Sequence, residues 1–314
     1  MPIQIFIDGS AGTTGLRIVQ RLAERAKTEP LTVRMLEGEQ RKDLAARIDA
    51  INRSDVAFLC LPDAAAREIV PHIDPAVRVL DTPTAHRTAP GWVYGLPELA
   101  GQRARIVEAA RVAVPGCHAT GFAVLAAPLV QMGLLPPDYP FTVTSLTGYS
   151  GGGKSMIADY RADGRPAALD SPRSYGLGLH HKHLPEMQAV CGLAAPPAFV
   201  PVVADYYCGM QTILPLHMAL AKAPAGELAR ALAGYYAGQS QITVHPLGEV
   251  PENGFLASNA LAGTDRLEIY CTASPDGSQM LLAALFDNLG KGASGAAVQC
   301  MNLMLGLPET AGLE

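Results

Sequence analysis

The residues best suited to covalent chemistry lie at Pro115-Gly116-Cys117-His118-Ala119-Thr120-Gly121, where a Pro-Gly turn delivers a cysteine to an apolar, helix-like run at 122–132. At a helix N-terminus the dipole and the N–H groups of the first turn stabilise a thiolate. The same N–H groups can hold the oxyanion that forms when the sulfur attacks a carbonyl. The remaining cysteines, at 60, 191, 208, 271 and 300, form no CxxC pair, and Cys60 and Cys271 sit in apolar runs that read as core. Scattered thiols of this kind suit a reducing, cytoplasmic setting, so Cys117 is the expected nucleophile. A second concentration, His180-His181-Lys182-His183-Leu184-Pro185-Glu186, gathers three of the eight histidines. An HxH pair can chelate zinc, but no carboxylate or cysteine at ligand spacing completes a set, so no metal is expected. Acid–base work needs only one of these histidines near Cys117, oriented by a carboxylate such as Glu186. Solvated loop histidines are the plain alternative.

Two glycine-rich segments invite phosphate. Gly9-Ser10-Ala11-Gly12-Thr13-Thr14-Gly15 follows a strand-like run and opens a helical one. Glycines every third residue let the backbone approach a pyrophosphate, whose charge a helix N-terminus favours, so all seven residues are expected to hold a dinucleotide. Glu37, about 20 residues further on at the end of the second strand-like run, favours the ribose diol of NAD. Arg41 and Lys42 could instead accept the 2′-phosphate of NADP, and the residues alone leave both open. Gly148-Tyr149-Ser150-Gly151-Gly152-Gly153-Lys154-Ser155 matches the Walker A pattern in full. Only 156–160 reads as helix after it, too little to support a P-loop. The preferred reading is a loop in which Ser150, Gly151 and Gly152, with Lys154, meet a substrate phosphate or oxyanion. A P-loop NTPase is the alternative from another class. Gly290-Lys291-Gly292-Ala293-Ser294-Gly295 fits GxGxxG but has no following strand, so it is not a second dinucleotide fold. Gly292 remains a candidate contact to the cofactor.

The elements that must position these groups are legible as periodicity. Strand-like runs at 3–8, 31–36, 56–61 and 78–81 alternate with helical ones at 12–26, 41–52 and 63–73. Short connections between them imply a Rossmann-like, doubly wound parallel sheet with helices on both faces. After about 117 the rhythm changes to strand-like runs at 141–146, 198–203, 210–220 and 266–272 with long Gly/Pro-rich connections. This implies an α+β second domain on a mainly antiparallel sheet.

Composition agrees. The chain has 314 residues, 49% hydrophobic and 17% charged, enough for two cores. A net charge of −5 supplies no basic stripe for nucleic acid. No apolar run reaches a membrane-spanning length, and no charged leader precedes the first strand, so neither membrane nor signal peptide is expected.

Taken together, the blocks resemble a known family. The Pro-Gly-Cys segment at 115–121 is similar to the active-site signature of the N-acetyl-γ-glutamyl-phosphate reductases of arginine biosynthesis. Matches continue through the Gly9 to Gly15 turn, Tyr94-Gly95-Leu96-Pro97-Glu98, 148–153, 181–186, and Gly292-Ala293-Ser294-Gly295-Ala296-Ala297-Val298-Gln299. The length and Asp81-Thr82-Pro83-Thr84-Ala85-His86-Arg87 resemble the shorter branch of that family. The resemblance implies an aspartate-semialdehyde-dehydrogenase-like fold: a cofactor domain at 1–116 rejoined by a C-terminal helix at 290–314, and a catalytic, oligomerising domain at 117–289. It implies NADPH despite Glu37, a small acyl-phosphate substrate, and a homo-oligomer, dimer or tetramer. On this likeness Cys117 attacks the acyl phosphate and phosphate leaves beside Arg87, Lys154 and the histidines. Hydride reduces the thioester, His183 oriented by Glu186 moves the proton, and His181 binds substrate. His118 stands where longer members carry an aromatic residue and is expected to point elsewhere on the helix. Other acyl-phosphate reductases, such as aspartate-semialdehyde dehydrogenase or an aminoadipyl-phosphate reductase, share this chemistry. A catalytically silent NADP-binding sensor is a further alternative.

Overall fold

The computed structural model describes residues 1–10 and 12–314, in two compact units. The first comprises Met1–Pro97, Gly101–Gly116 and Ala293–Glu314; the second comprises Glu98–Ala100 and Cys117–Gly292.

The first unit runs β1 (Ile3–Asp8), α1 (Thr13–Arg25), β2 (Leu31–Arg34), α2 (Leu44–Asn52), β3 (Val56–Leu59), α3 (Asp63–Ile69), β4 (Arg78–Asp81), β5 (Val93–Tyr94), α4 (Gln102–Glu108) and β6 (Arg111–Ala113). The strands form one sheet in the order β2-β1-β3-β4-β6-β5, every pairing parallel. Both faces are covered, which is why β1 and β3 read as continuous apolar runs. Ile5, Ile7 and Phe58 face one core with Ile18 and Leu22 of α1. Phe6, Ala57 and Leu59 face the other with Ile51 and Ile69. Element ends differ from the periodic runs for local reasons. A 3-10 turn at Gly38–Lys42 precedes α2, which starts where Asp43 accepts hydrogen bonds from the amides of Ala45 and Ala46. Pro71 lies in the 3-10 turn that ends α3 early.

The second unit runs α5 (Cys117–Gln131), β7 (Thr142–Gly148), α6 (Gly153–Arg161), β8 (Arg173–Ser174), α7 (Leu184–Cys191), β9 (Ala198–Ala204), β10 (Met210–His217), α8 (Ala225–Tyr235), β11 (Ile242–Val244), β12 (Leu267–Ala273) and β13 (Gln279–Phe286). Its seven-stranded sheet has the order β11-β12-β13-β10-β7-β9-β8. Only β7–β9 and β11–β12 pair in parallel, so the sheet is mainly antiparallel. The chain then passes through a π-helical turn, Gly290–Ser294, into α9 (Gly295–Leu305) of the first unit. There Ala296, Ala297, Cys300 and Met301 join the core of Ile5 and Ile7.

Helix α5 carries Cys117 as its first residue. It is buried along almost its whole length, and Gly121 lies directly on the sheet. A Cβ there would collide with the Thr212 side chain of β10 and come within 3.0 Å of the Phe286 ring. That close approach clamps the helix one turn beyond Cys117.

Candidate active site

Cys117 is the first residue of α5 and half-buried, the position that favours a thiolate. Three other cysteines are set apart by their surroundings. Burial pushes the thiols of Cys60 and Cys271 up to about 12, and burial also raises that of Cys191. Gly292 of the π-helical turn packs against Cys117, and a Cβ there would lie 2.9 Å from Cys117 Cβ. The glycine that sequence reasoning offered to the cofactor is thus required by closeness to the thiol.

The histidines gather around α5. His183 is the N-cap residue of α7, and buried Glu186 lies in that helix's first turn. The His181 Nδ1 accepts a hydrogen bond from the His183 amide at 3.2 Å, and the two rings meet edge-on at 4.8 Å. His180 is exposed. Among the described residues no group of three or more His, Cys, Asp or Glu is arranged to hold a metal ion.

His118 corrects an expectation. Its ring turns into the histidine cluster, 5.5 Å from His181 and 5.6 Å from His183, and packs on Phe199. Its Nδ1 is 2.9 Å from Ser145 Oγ and its Nε2 is 2.7 Å from the Tyr175 hydroxyl. Burial first, then His181 and Lys182, holds its pKa down at about 3; burial and Lys182 hold His181 at about 4. Both imidazoles are therefore neutral near pH 7. Burial, and then the charge of Cys117, raises the Tyr175 phenol above its ordinary value. Nothing in the sequence around Tyr175, Ser145 or Thr212 marks them, because only the fold links them to His118.

The first half of the Walker-like loop is tied into the protein. The amides of Gly148, Tyr149 and Ser150 donate to the carbonyls of Gly209, Tyr206 and Tyr207 at 2.9–3.0 Å. Ser150 Oγ accepts from Asn288 Nδ2 at 3.0 Å, and Asn288 Oδ1 accepts from the Gly209 amide at 2.9 Å. These three amides, at the start of the loop, are spent inside the protein. Gly151, Gly152 and Lys154 are exposed at the start of α6, which runs longer than the sequence suggested.

The first unit carries the glycine turn, of which Ala11 lies outside the described residues. Gly9 has φ +81°, and a Cβ would collide with the Cys60 carbonyl; one on Gly15 would lie 2.7 Å from the Gly9 carbonyl. Those two glycines are required by the protein's own packing. Gly12 is not, since its Cβ would meet nothing nearer than 3.7 Å. The Thr13 hydroxyl is buried with no hydrogen-bond partner, and the first turn of α1 holds no acidic residue. An open glycine, an unsatisfied hydroxyl and an uncompensated helix N-terminus together fit a phosphate-bearing cofactor. Strand β2 ends at Arg34, so Glu37 lies beyond the strand, where it begins the 3-10 turn that carries exposed Arg41 and Lys42. The Arg87 guanidinium, also in this unit, donates to the carbonyls of Val114 at 3.0 Å and Thr82 at 2.9 Å.

Family models match both units: "Semialdehyde dehydrogenase, NAD binding domain" over residues 4–108, and "Semialdehyde dehydrogenase, dimerisation domain" over 117–288. The N-acetyl-gamma-glutamyl-phosphate reductase of Burkholderia orbicola is 47% identical over 96% of this chain and 97% of its own. N-acetyl-gamma-glutamyl-phosphate reductase 2 of a Nostoc species is 45% identical over 99% of each. Among solved structures, aspartate semialdehyde dehydrogenase II of Vibrio cholerae superposes with a TM-score of 0.73 at 17% identity, over 97% of this chain and 99% of that one. The enzyme of Candida albicans, solved with NADP, gives 0.68 at 14% identity over 97% and 99%. The chain therefore belongs to the semialdehyde dehydrogenase family, among the N-acetyl-γ-glutamyl-phosphate reductases.

Proposed function

We propose that the protein reduces N-acetyl-L-glutamyl 5-phosphate with NADPH to N-acetyl-L-glutamate 5-semialdehyde and phosphate, a step of arginine biosynthesis. The observation that carries this is Cys117 at the N-terminus of α5 beside the histidine cluster, in a chain whose relatives bear that name. The Cys117 thiolate adds to the acyl carbon, first-turn N–H groups of α5 hold the oxyanion, and the C–O bond to phosphate breaks to leave a thioester. Gly151, Gly152 and Lys154 receive the departing phosphate. Neutral His181 binds substrate as a hydrogen-bonding group. His183, with Glu186 in the same turn, holds the proton that the hemithioacetal oxygen exchanges as the thiol leaves. Arg87 braces the end of β4 at Thr82 and the segment at Val114 that runs on in the chain to Cys117. Bound NADPH supplies the hydride, its pyrophosphate on Gly9, Ser10, Gly12, Thr13, Thr14 and Gly15. Its 2′-phosphate is within the repertoire of Arg41 and Lys42.

The reading places the enzyme in the cytoplasm, where a catalytic thiol stays reduced, as a homo-oligomer. Support for self-association is the outer face of the second sheet, which carries the exposed residues Val200, Pro215 and Leu281. No helix among the described residues is long and apolar enough to cross a membrane.

Phosphate-dependent reduction of NADP by N-acetylglutamate 5-semialdehyde tests the function. Turnover abolished by alkylation of Cys117, and a kcat/KM far above that for aspartate semialdehyde, is expected. Preference for aspartate semialdehyde, or activity surviving alkylation, overturns it.

A further inference from the structure

His118 has no task in that reaction, yet it is built into the sheet as firmly as any residue of the site. Its Nδ1 meets Ser145 Oγ at 2.9 Å, Ser145 Oγ meets Thr212 Oγ1 at 3.0 Å, and its Nε2 meets Tyr175 Oη at 2.7 Å. Ser145 and Thr212 are cross-strand partners of β7 and β10. Four side chains thus form one hydrogen-bonded chain, from the middle of the sheet to a phenol held at the first turn of α5 by the residue that follows Cys117. We infer that His118 is a positioning residue that turns the Tyr175 hydroxyl proton toward Cys117 and the oxygen of the acyl group it carries. The inference deepens the reading of Cys117 as the nucleophile and rests on it.

The direction follows from counting protons. Each hydroxyl has one, and a neutral imidazole has one, so the chain can point only inward or outward. Pointing outward, Thr212 donates to Ser145, Ser145 to Nδ1, and Nε2–H to the Tyr175 oxygen, which leaves the phenolic proton for the site. A negative charge on Cys117 sulfur, or on the oxyanion formed there, attracts that proton and selects the outward direction. His118 must be neutral for this, since an imidazolium donates from both nitrogens and breaks the link from Ser145. Burial, with His181 and Lys182 alongside, keeps it neutral down to about pH 3. The rings of Phe199, His181 and His183 pack around it at 5.2–5.6 Å and fix its plane.

His118→Phe keeps a ring and removes both hydrogen bonds; Tyr175→Phe removes the hydroxyl alone. In the semialdehyde assay each is expected to lower kcat about tenfold, the worth of one well-placed hydrogen bond, with the KM for NADP unchanged. The double variant is expected to be no slower than Tyr175→Phe, because His118 acts through that hydroxyl. A second readout needs no substrate: the pH dependence of iodoacetamide alkylation at Cys117, followed on its peptide by mass. Both single variants are expected to raise the midpoint equally, and the double variant no further, since the thiolate loses the same donor. His118→Gln, which keeps a donor for Tyr175, is expected to restore part of the loss. Ser145→Ala cuts the chain one link earlier and serves if His118→Phe fails to fold. An unmoved alkylation midpoint in both His118→Phe and Ser145→Ala, or multiplicative kcat losses in the double variant, overturns the inference. If the semialdehyde is not a substrate at all, the proposed function fails, and the alkylation midpoints alone still decide the role of His118.

Discussion

At the scale of single residues, two buried imidazoles and one thiol divide the labour by environment. Cys117→Ser keeps the shape of the helix start but replaces a good nucleophile and leaving group with a poor one. The variant is expected to bind NADPH like the parent and to lose at least about a thousandfold in kcat; stopped-flow turnover against NADPH fluorescence titration checks both halves. His118 adds a signature in stability. Its folded pKa, about 3, lies below the 6.5 of an unfolded histidine. Between those values the unfolded chain binds a proton that the native one does not. The contribution is thus full above about pH 6.5 and is lost as pH falls toward 3. Asp81 works the other way, since burial raises its folded pKa to about 6. Comparison with a variant cancels that opposite slope. His118→Phe is expected to flatten the acid limb of stability by about 1.4 kcal/mol per pH unit, measured by urea unfolding from pH 4 to 6.5. Parallel limbs for the two proteins would show that His118 titrates normally.

At the scale of elements, three glycines of one turn have different jobs. Gly9→Ala and Gly15→Ala force a Cβ against backbone, so both are expected to lower Tm by several degrees. Gly12→Ala has room for its methyl. It is expected to leave Tm unchanged while weakening NADPH binding about tenfold or more, by thermal melts and titration side by side. An equal loss of Tm for all three would make the turn purely structural. The glycine pattern itself was legible in the sequence, as was the alternation of strands and helices in the first unit, because both are local. Buried parallel strands announce themselves as apolar runs, and Cys117 announced itself through Pro115-Gly116. The relay of Ser145, Thr212 and Tyr175 was not legible, since it depends on which strands the sheet makes neighbours. The same limit explains the Walker-like loop. Its residues fit the pattern, but the amides of Gly148, Tyr149 and Ser150 pair with the 206–209 segment, and only the fold reveals that. It also explains His118, whose direction on α5 depends on how Gly121 seats the helix on β10.

At the scale of the whole molecule, the second sheet has one face under α5 and another turned outward, and the strand register shows what that outer face carries. Ala283, Ile213, Thr144 and Val200 form one row across β13, β10, β7 and β9, and Leu285, Gln211, Leu146 and Val202 form the next. Pro215 opposite Leu281 begins a third. None of these residues is charged, and Val200 is 42% exposed. Leu256 and Leu261 cover Ala283 and Leu285 at one end of these rows, so the open part is the apolar patch of Val200, Pro215 and Leu281, which suits a second copy of itself about a two-fold axis. The match of this unit to a family model described as a dimerisation domain points the same way. Val200→Arg places a charge on the face without touching the inner side, where α5 sits. The parent is expected to sediment as a dimer or larger. The variant is expected to sediment as a monomer at micromolar concentration, with NADPH binding by the first unit retained because that unit has its own core. If Val200→Arg sediments like the parent, the copies associate through some other surface.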